Sequence, residues 1–185
     1  MRLTIAAALL LALSGRTAAQ DKGTAVEWGA LKSTTPAGWK EEKPTSTMRL
    51  AQFKLAKADG DAADAELALF LLPGGGGVEA NLDRQVKKFE TPAGKKAEDC
   101  VKSEKIKVGG MDAVYQDVTG TFMSKFPPFD PNGKVTKMEN YRQLYVIFEV
   151  KDGGKAGTYS VTLLGPTKTI DKHKKDFEAW VKNFK

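Results

Sequence analysis

The chain has 185 residues, 41% of them hydrophobic, and a formal charge of +6 from 29 basic and 23 acidic side chains. Such a length and composition suit one packed domain and exclude fibrous, disordered and multi-span membrane classes. A single cysteine, Cys100, excludes an intramolecular disulfide framework, and a single histidine, His173, leaves little room for histidine-based catalysis or zinc ligation.

The chain opens as a secretory signal. Arg2 gives a positive start, residues 3–13 form an apolar run, and Thr17-Ala18-Ala19 supplies the small residues of a cleavage site before Gln20. The run is about half of a membrane span of roughly 20 residues, and no later stretch is longer. We therefore expect residues 1–19 to be removed, residues 20–24 to be a short tether, and residues 25–185 to be one α+β domain in the periplasm or outside the cell. Loss of Arg2 and Arg16 leaves 27 basic against 23 acidic residues, a net +4 without a cluster. Export and diffuse charge argue against nucleic acid as partner and for another envelope or secreted protein.

Beyond the tether, Val26, Trp28 and Leu31 begin an extended pattern, and the Pro36-Ala37-Gly38-Trp39 turn delivers Trp39 to the core. Residues 47–55 alternate as a strand, with Ala51, Phe53 and Leu55 on one side. Residues 66–72 are apolar on both faces, as a covered central strand must be. The glycines 74–77 break that strand, and a helix follows with Val78, Leu82, Val86 and Phe89 as its apolar stripe. Residues 100–108 and 111–122 read as a hairpin around Gly109-Gly110. A long loop rich in Pro, Phe and Gly is expected over 123–135. Residues 141–150 form a second strand apolar on both faces, and Asp152-Gly153-Gly154 turns it into 158–164. A helix from about Thr169 closes the chain, with Ile170, His173, Phe177, Trp180, Val181 and Phe184 on one face. The order predicts a mostly antiparallel sheet of about six or seven strands with one helix on each face.

Five features carry candidate chemistry. The Gly-rich loop at a strand-to-helix junction offers backbone N–H groups to an anion, with Gly75, Gly76, Gly77, Asn81 and Arg84 as its cradle. It lacks the Lys-Ser/Thr of a P-loop, and Glu79 sits where phosphate would bind, so a structural turn is the plainer role. Asp59, Asp61, Asp64 and Glu66 lack the glycine and distal acid of a calcium loop and read as a solvated turn. Cys100 reads as a buried thiol, and the Lys-rich side of the last helix as a solvated face. Phe126, Pro127, Pro128 and Phe129 present aromatics and prolines in a loop, the best candidate surface for a partner. No catalytic residue, metal or cofactor is expected, and a hydrolase has no motif behind it.

Taken together, Pro36-Ala37-Gly38-Trp39, the segment Met48-Arg49-Leu50-Ala51-Gln52-Phe53, the segment Gly75-Gly76-Gly77-Val78-Glu79-Ala80-Asn81 with Arg84 and Phe89, Tyr141-Arg142 and Gly165-Pro166 resemble a family of exported bacterial proteins of uncharacterised function. The element order is similar to the PsbP/Mog1-like fold. Gln85 departs from the family pattern, in which an aromatic often follows the arginine. The resemblance implies no catalysis and an accessory or binding role. A small-ligand carrier using the Gly-rich loop and Arg84 is the alternative.

Overall fold

Two strands organise the molecule, and each is apolar on both faces. In the computed structural model, which describes residues 22–72, 76–127, 130–151 and 156–185, they are β5 (Ala65–Leu72) and β9 (Lys134–Val150). The expected signal peptide, Gly75, Pro128, Phe129 and the Asp152-Gly153-Gly154 turn lie outside the described residues. The other elements are β1 (Ala25–Trp28), β2 (Leu31–Thr34), β3 (Lys40–Glu42), β4 (Arg49–Leu55), α1 (Gly77–Val86), β6 (Phe89–Glu90), β7 (Val101–Val108), β8 (Met111–Phe126), β10 (Gly157–Pro166) and α2 (Thr167–Lys182).

The main sheet runs β3-β4-β5-β10-β9-β8, with β6 and β7 both paired to β8, and β1–β2 form a separate hairpin. The pairings are antiparallel. This is the expected α+β sandwich. Its main sheet has eight strands instead of six or seven because β3 and β6 are too short to carry a periodic pattern.

The two faces are covered unequally. Leu67, Leu69, Leu144, Val146, Phe148 and Val161 point towards Ile170, Phe177, Trp180 and Val181 of α2. Trp28 of the hairpin completes that layer, its ring centroid 4.6 Å from Phe148 and 5.2 Å from Phe184, while Trp39 meets Trp180 at 5.3 Å. On the opposite face Leu82 of α1 packs with Tyr145 and Ile147, flanked by Val78 and Val114. Ten residues of helix span about 15 Å, whereas the 17 residues of β9 extend to roughly 55 Å. Part of the α1 face is therefore bare.

Two sequence expectations are corrected. Phe89 does not continue the α1 stripe. The helix ends at Val86, and Phe89 pairs with Phe122 in the sheet. The Lys88 carbonyl accepts a hydrogen bond from Met123 N–H at 2.8 Å, and this sheet contact outweighs helical spacing. Residues 123–135 are not a loop throughout. β8 runs to Phe126 and β9 resumes at Lys134, paired Phe126 to Lys134. Proline and glycine at the tip concealed the alternation of its flanks.

Candidate functional site

The Gly-rich loop enters α1 through Gly76, whose φ of 80° is the left-handed conformation that glycine adopts without cost. The side chains expected to cradle an anion are turned to local use. Asn81 is fully buried, and its amide donates to the Gly77 carbonyl at 2.7 Å. Arg84 donates from Nη1 to Asn81 Oδ1 at 2.6 Å, so the three positions form a brace along the first turns of the helix. Glu149 and Lys151 share the shallow surface beside Gly76 and Gly77, giving it no single sign.

A larger concavity lies on the bare part of the α1 face. It is a groove of about 710 Å³, floored by Ala68 and Phe70 of β5, Thr162 and Leu164 of β10, and Gln143 of β9. Phe89, Phe122 and Met123 form the wall on the β8 side, and Lys87, Lys88, Lys125 and Arg49 stand at its edges. Phe70 and Leu164 are only half-buried. Their apolar outward positions, which the sequence led us to assign to a covered face, are the floor of this groove.

Charge in the groove is unbalanced. Its two acids are already engaged, Glu66 with Arg49 at 2.9 Å and Glu90 with Lys137 at 2.7 Å. Lys88 Nζ donates to Gln85 Oε1 at 2.8 Å, and Lys125 Nζ to the Pro131 carbonyl at 3.0 Å. Among the described residues, Lys87, Lys88 and Lys125 have no carboxylate partner. Crowding around the Lys88 ammonium, then the positive charge of Arg84, hold its pKa below the ordinary lysine value although the residue as a whole is exposed.

Beside the groove, β8 and β9 run on past the rest of the sheet as a two-stranded ribbon. It begins at a register shift opposite Asn140, whose φ of 56° marks the extra residue of a bulge. Phe122 anchors the ribbon, 5.3 Å from Phe89 and stacked on Tyr141 at 6.2 Å. Its end is apolar and open: Phe126 is 76% exposed and Val135 is 45% exposed. β10 pairs with β9 only from Tyr141 onward, so on the side away from β8 the stretch Lys134 to Glu139 has no strand neighbour among the described residues. Another edge strand, β7, is guarded by exposed Lys102, Glu104 and Lys105. Of the four partner residues expected from sequence, Phe126 and Pro127 are described, and both are exposed.

Sequence reasoning missed a charged cluster under α2. The side chain of Asp117 is 6% exposed and takes Arg142 through both oxygens, Nε to Oδ1 at 2.8 Å and Nη2 to Oδ2 at 2.5 Å. Lys174 reaches the same Oδ2 at 2.8 Å, and Arg142 also contacts Asp171. Burial raises the Asp117 pKa, but the hydrogen bonds and charges of Arg142 and Lys174 outweigh it and leave the carboxyl below its ordinary value. Tyr115 donates to Glu178 at 3.1 Å, and burial with these carboxylates raises its phenol well above the usual range. With every partner internal, this cluster ties α2 to the sheet.

The remaining candidates have structural partners. His173 Nε2 lies 2.8 Å from the Ala56 carbonyl, and Cys100 is buried. Asp61 accepts from Thr169 N–H at 2.8 Å and Thr169 Oγ1 at 2.7 Å, Asp64 accepts from Lys57 N–H at 2.9 Å, and Glu66 is held by Arg49. Among the described residues no group of three or more His, Cys, Asp or Glu is placed to hold a metal. No helix there is long and apolar enough to cross a membrane.

No family model matches the chain, and no curated protein matches it. Among solved structures it is similar to cyanobacterial PsbP (CyanoP) from Synechocystis sp. PCC 6803, solved in solution, at 12% identity and a TM-score of 0.44, over 91% of this chain and 95% of that one.

Proposed function

We propose that the protein is an exported, non-enzymatic binding domain that docks another envelope or secreted protein on its projecting ribbon. The observation that carries this reading is Phe126, a large aromatic 76% exposed at the ribbon end beside a strand edge that no other strand among the described residues occupies. An extended segment of a partner adds main-chain hydrogen bonds along Lys134 to Glu139, and Phe126 supplies the apolar anchor. Pro127 next to Phe126 limits the freedom lost on docking. The engagement of His173 with a backbone carbonyl and the burial of Cys100 favour a binding role over nucleophilic catalysis. Capture of host envelope proteins by the mature chain, repeated with Phe126→Ala and with Val135→Pro, tests it. Partner loss in both folded variants supports the reading, and an unchanged partner set removes the ribbon from it.

A further inference from the structure

We propose that the groove on the α1 face binds one long-chain alkyl carboxylate, its chain laid across the sheet and its head group between Lys88 and Lys125. The site shares Lys125 and Val135 with the ribbon but does not include Phe126, and it stands without the partner reading.

Shape and chemistry point the same way. The groove crosses strands β4, β5, β10, β9 and β8, a width of roughly 19 Å at ordinary strand spacing. Its volume of about 710 Å³ is of the size that holds small ligands. The floor consists of side chains on the face of a sheet, so its backbone N–H and C=O groups are spent in the ladder. A peptide lying across Phe70, Leu164 and Phe122 would find few partners for its own backbone there. An alkyl chain has none to satisfy and needs polar contact only at one end.

The charge left at the edge selects the sign of that end. Glu66 and Glu90 are neutralised by Arg49 and Lys137, while Lys87, Lys88 and Lys125 face the groove without a carboxylate. Lys88 is also held beside the apolar wall formed by Phe89 and Phe122, where an anion is worth more than in open water. A cationic amphiphile would meet those ammonium groups in the same place and be repelled.

Isothermal titration of the mature chain with octanoate, decanoate and laurate, each far below micelle formation, tests the proposal. We expect saturable one-to-one binding that strengthens about two- to fourfold with each added methylene. Lys88→Gln with Lys125→Gln should weaken laurate about tenfold or more at unchanged thermal midpoint. Chemical-shift changes on adding laurate should centre on Phe70, Leu164 and Lys88, which tests the floor without a core substitution. Phe126→Ala should leave laurate affinity unchanged, separating this site from the Phe126 anchor of the partner surface. Unsaturable uptake, equal binding of dodecyltrimethylammonium, no loss in the double lysine variant, or shifts confined to other surfaces would each overturn it. Tighter binding of an acidic, phenylalanine-bearing hexapeptide than of laurate would assign the groove to a protein segment instead.

Discussion

Asp61 caps the last helix from the far side of the sequence. Its Oδ2 accepts both the Thr169 N–H at 2.8 Å and the Thr169 hydroxyl at 2.7 Å, although Pro166 at the helix start has no side-chain cap of its own. The turn that looked like a loose acidic loop is therefore fastened to α2, and Ala58 N–H returns the contact by donating to Thr169 Oγ1 at 3.0 Å. Asp61→Ala should cost about 1 kcal/mol in denaturant unfolding, and Asp61→Asn clearly less. Equal losses would show that negative charge at the helix start, and not the hydrogen bond, is what matters.

The Asp117–Arg142 pair makes acid sensitivity the second expectation. Removing Arg142 alone, as in Arg142→Met, leaves the buried Asp117 carboxylate with Lys174 as its remaining charged partner and should cost about 3 kcal/mol. Replacing both, as Asp117→Leu with Arg142→Leu, should cost less than the two single changes together. The folded pKa of Asp117 lies below its unfolded value, near 4. Its contribution is therefore complete above that unfolded value and is lost as pH falls through the lower folded one. Unfolding free energies measured from pH 6 down to 2 should show this acid loss in the native chain and a shallower slope in Asp117→Leu with Arg142→Leu.

Phe122 and Phe126 lie four residues apart on one strand and should behave oppositely. Phe122 sits between Phe89 and Tyr141, so Phe122→Ala should cost about 2 kcal/mol and raise hydrogen exchange along the ribbon. Phe126 touches solvent over most of its surface, and Phe126→Ala should fall within about 0.5 kcal/mol of the native chain. A large loss at Phe126 would place it in the core and withdraw it from the partner surface.

Gly109 is a backbone requirement. It adopts a φ of 55°, and a Cβ there would lie 2.4 Å from Leu31 Cδ2. Gly109→Ala should cost about 2 kcal/mol, part from the left-handed backbone and part from displacing Leu31. Gly110→Ala, with a φ of 83° and open space around it, should cost only the backbone part, about 1 kcal/mol. Thermal melts of both variants check the difference.

Much of the architecture was legible in the order of residues. β5 and β9 could be read because they are apolar on both faces, and α2 because Ile170, Phe177, Trp180 and Val181 fall on one stripe. Phe89 was misassigned because its spacing from Val86 also fits a helix, and only the Met123 contact to Lys88 decides between them. The ribbon was hidden because the polar residues Lys134, Thr136 and Lys137 leave Val135 alone in a solvated strand, with no pattern to detect. The groove was beyond local reading for a different reason. Phe70 and Leu164 announce an apolar face, but whether a cover reaches them depends on how far a ten-residue helix extends. Asp117, Arg142 and Lys174 meet only through sheet register and helix placement, and no spacing along the chain signals them.

The placement of β10 between β5 and β9 governs when this molecule can acquire its shape. Leu69 has its strand partner in Val161, so β3, β4 and β5 remain an incomplete sheet until β10, about 90 residues later, has been made. Before that moment both apolar sides of β5 are open, a state prone to sticking and slow to resolve because the closing contacts are distant in sequence. Such late closure keeps the chain uncommitted to its final shape until β10 is in place between β5 and β9.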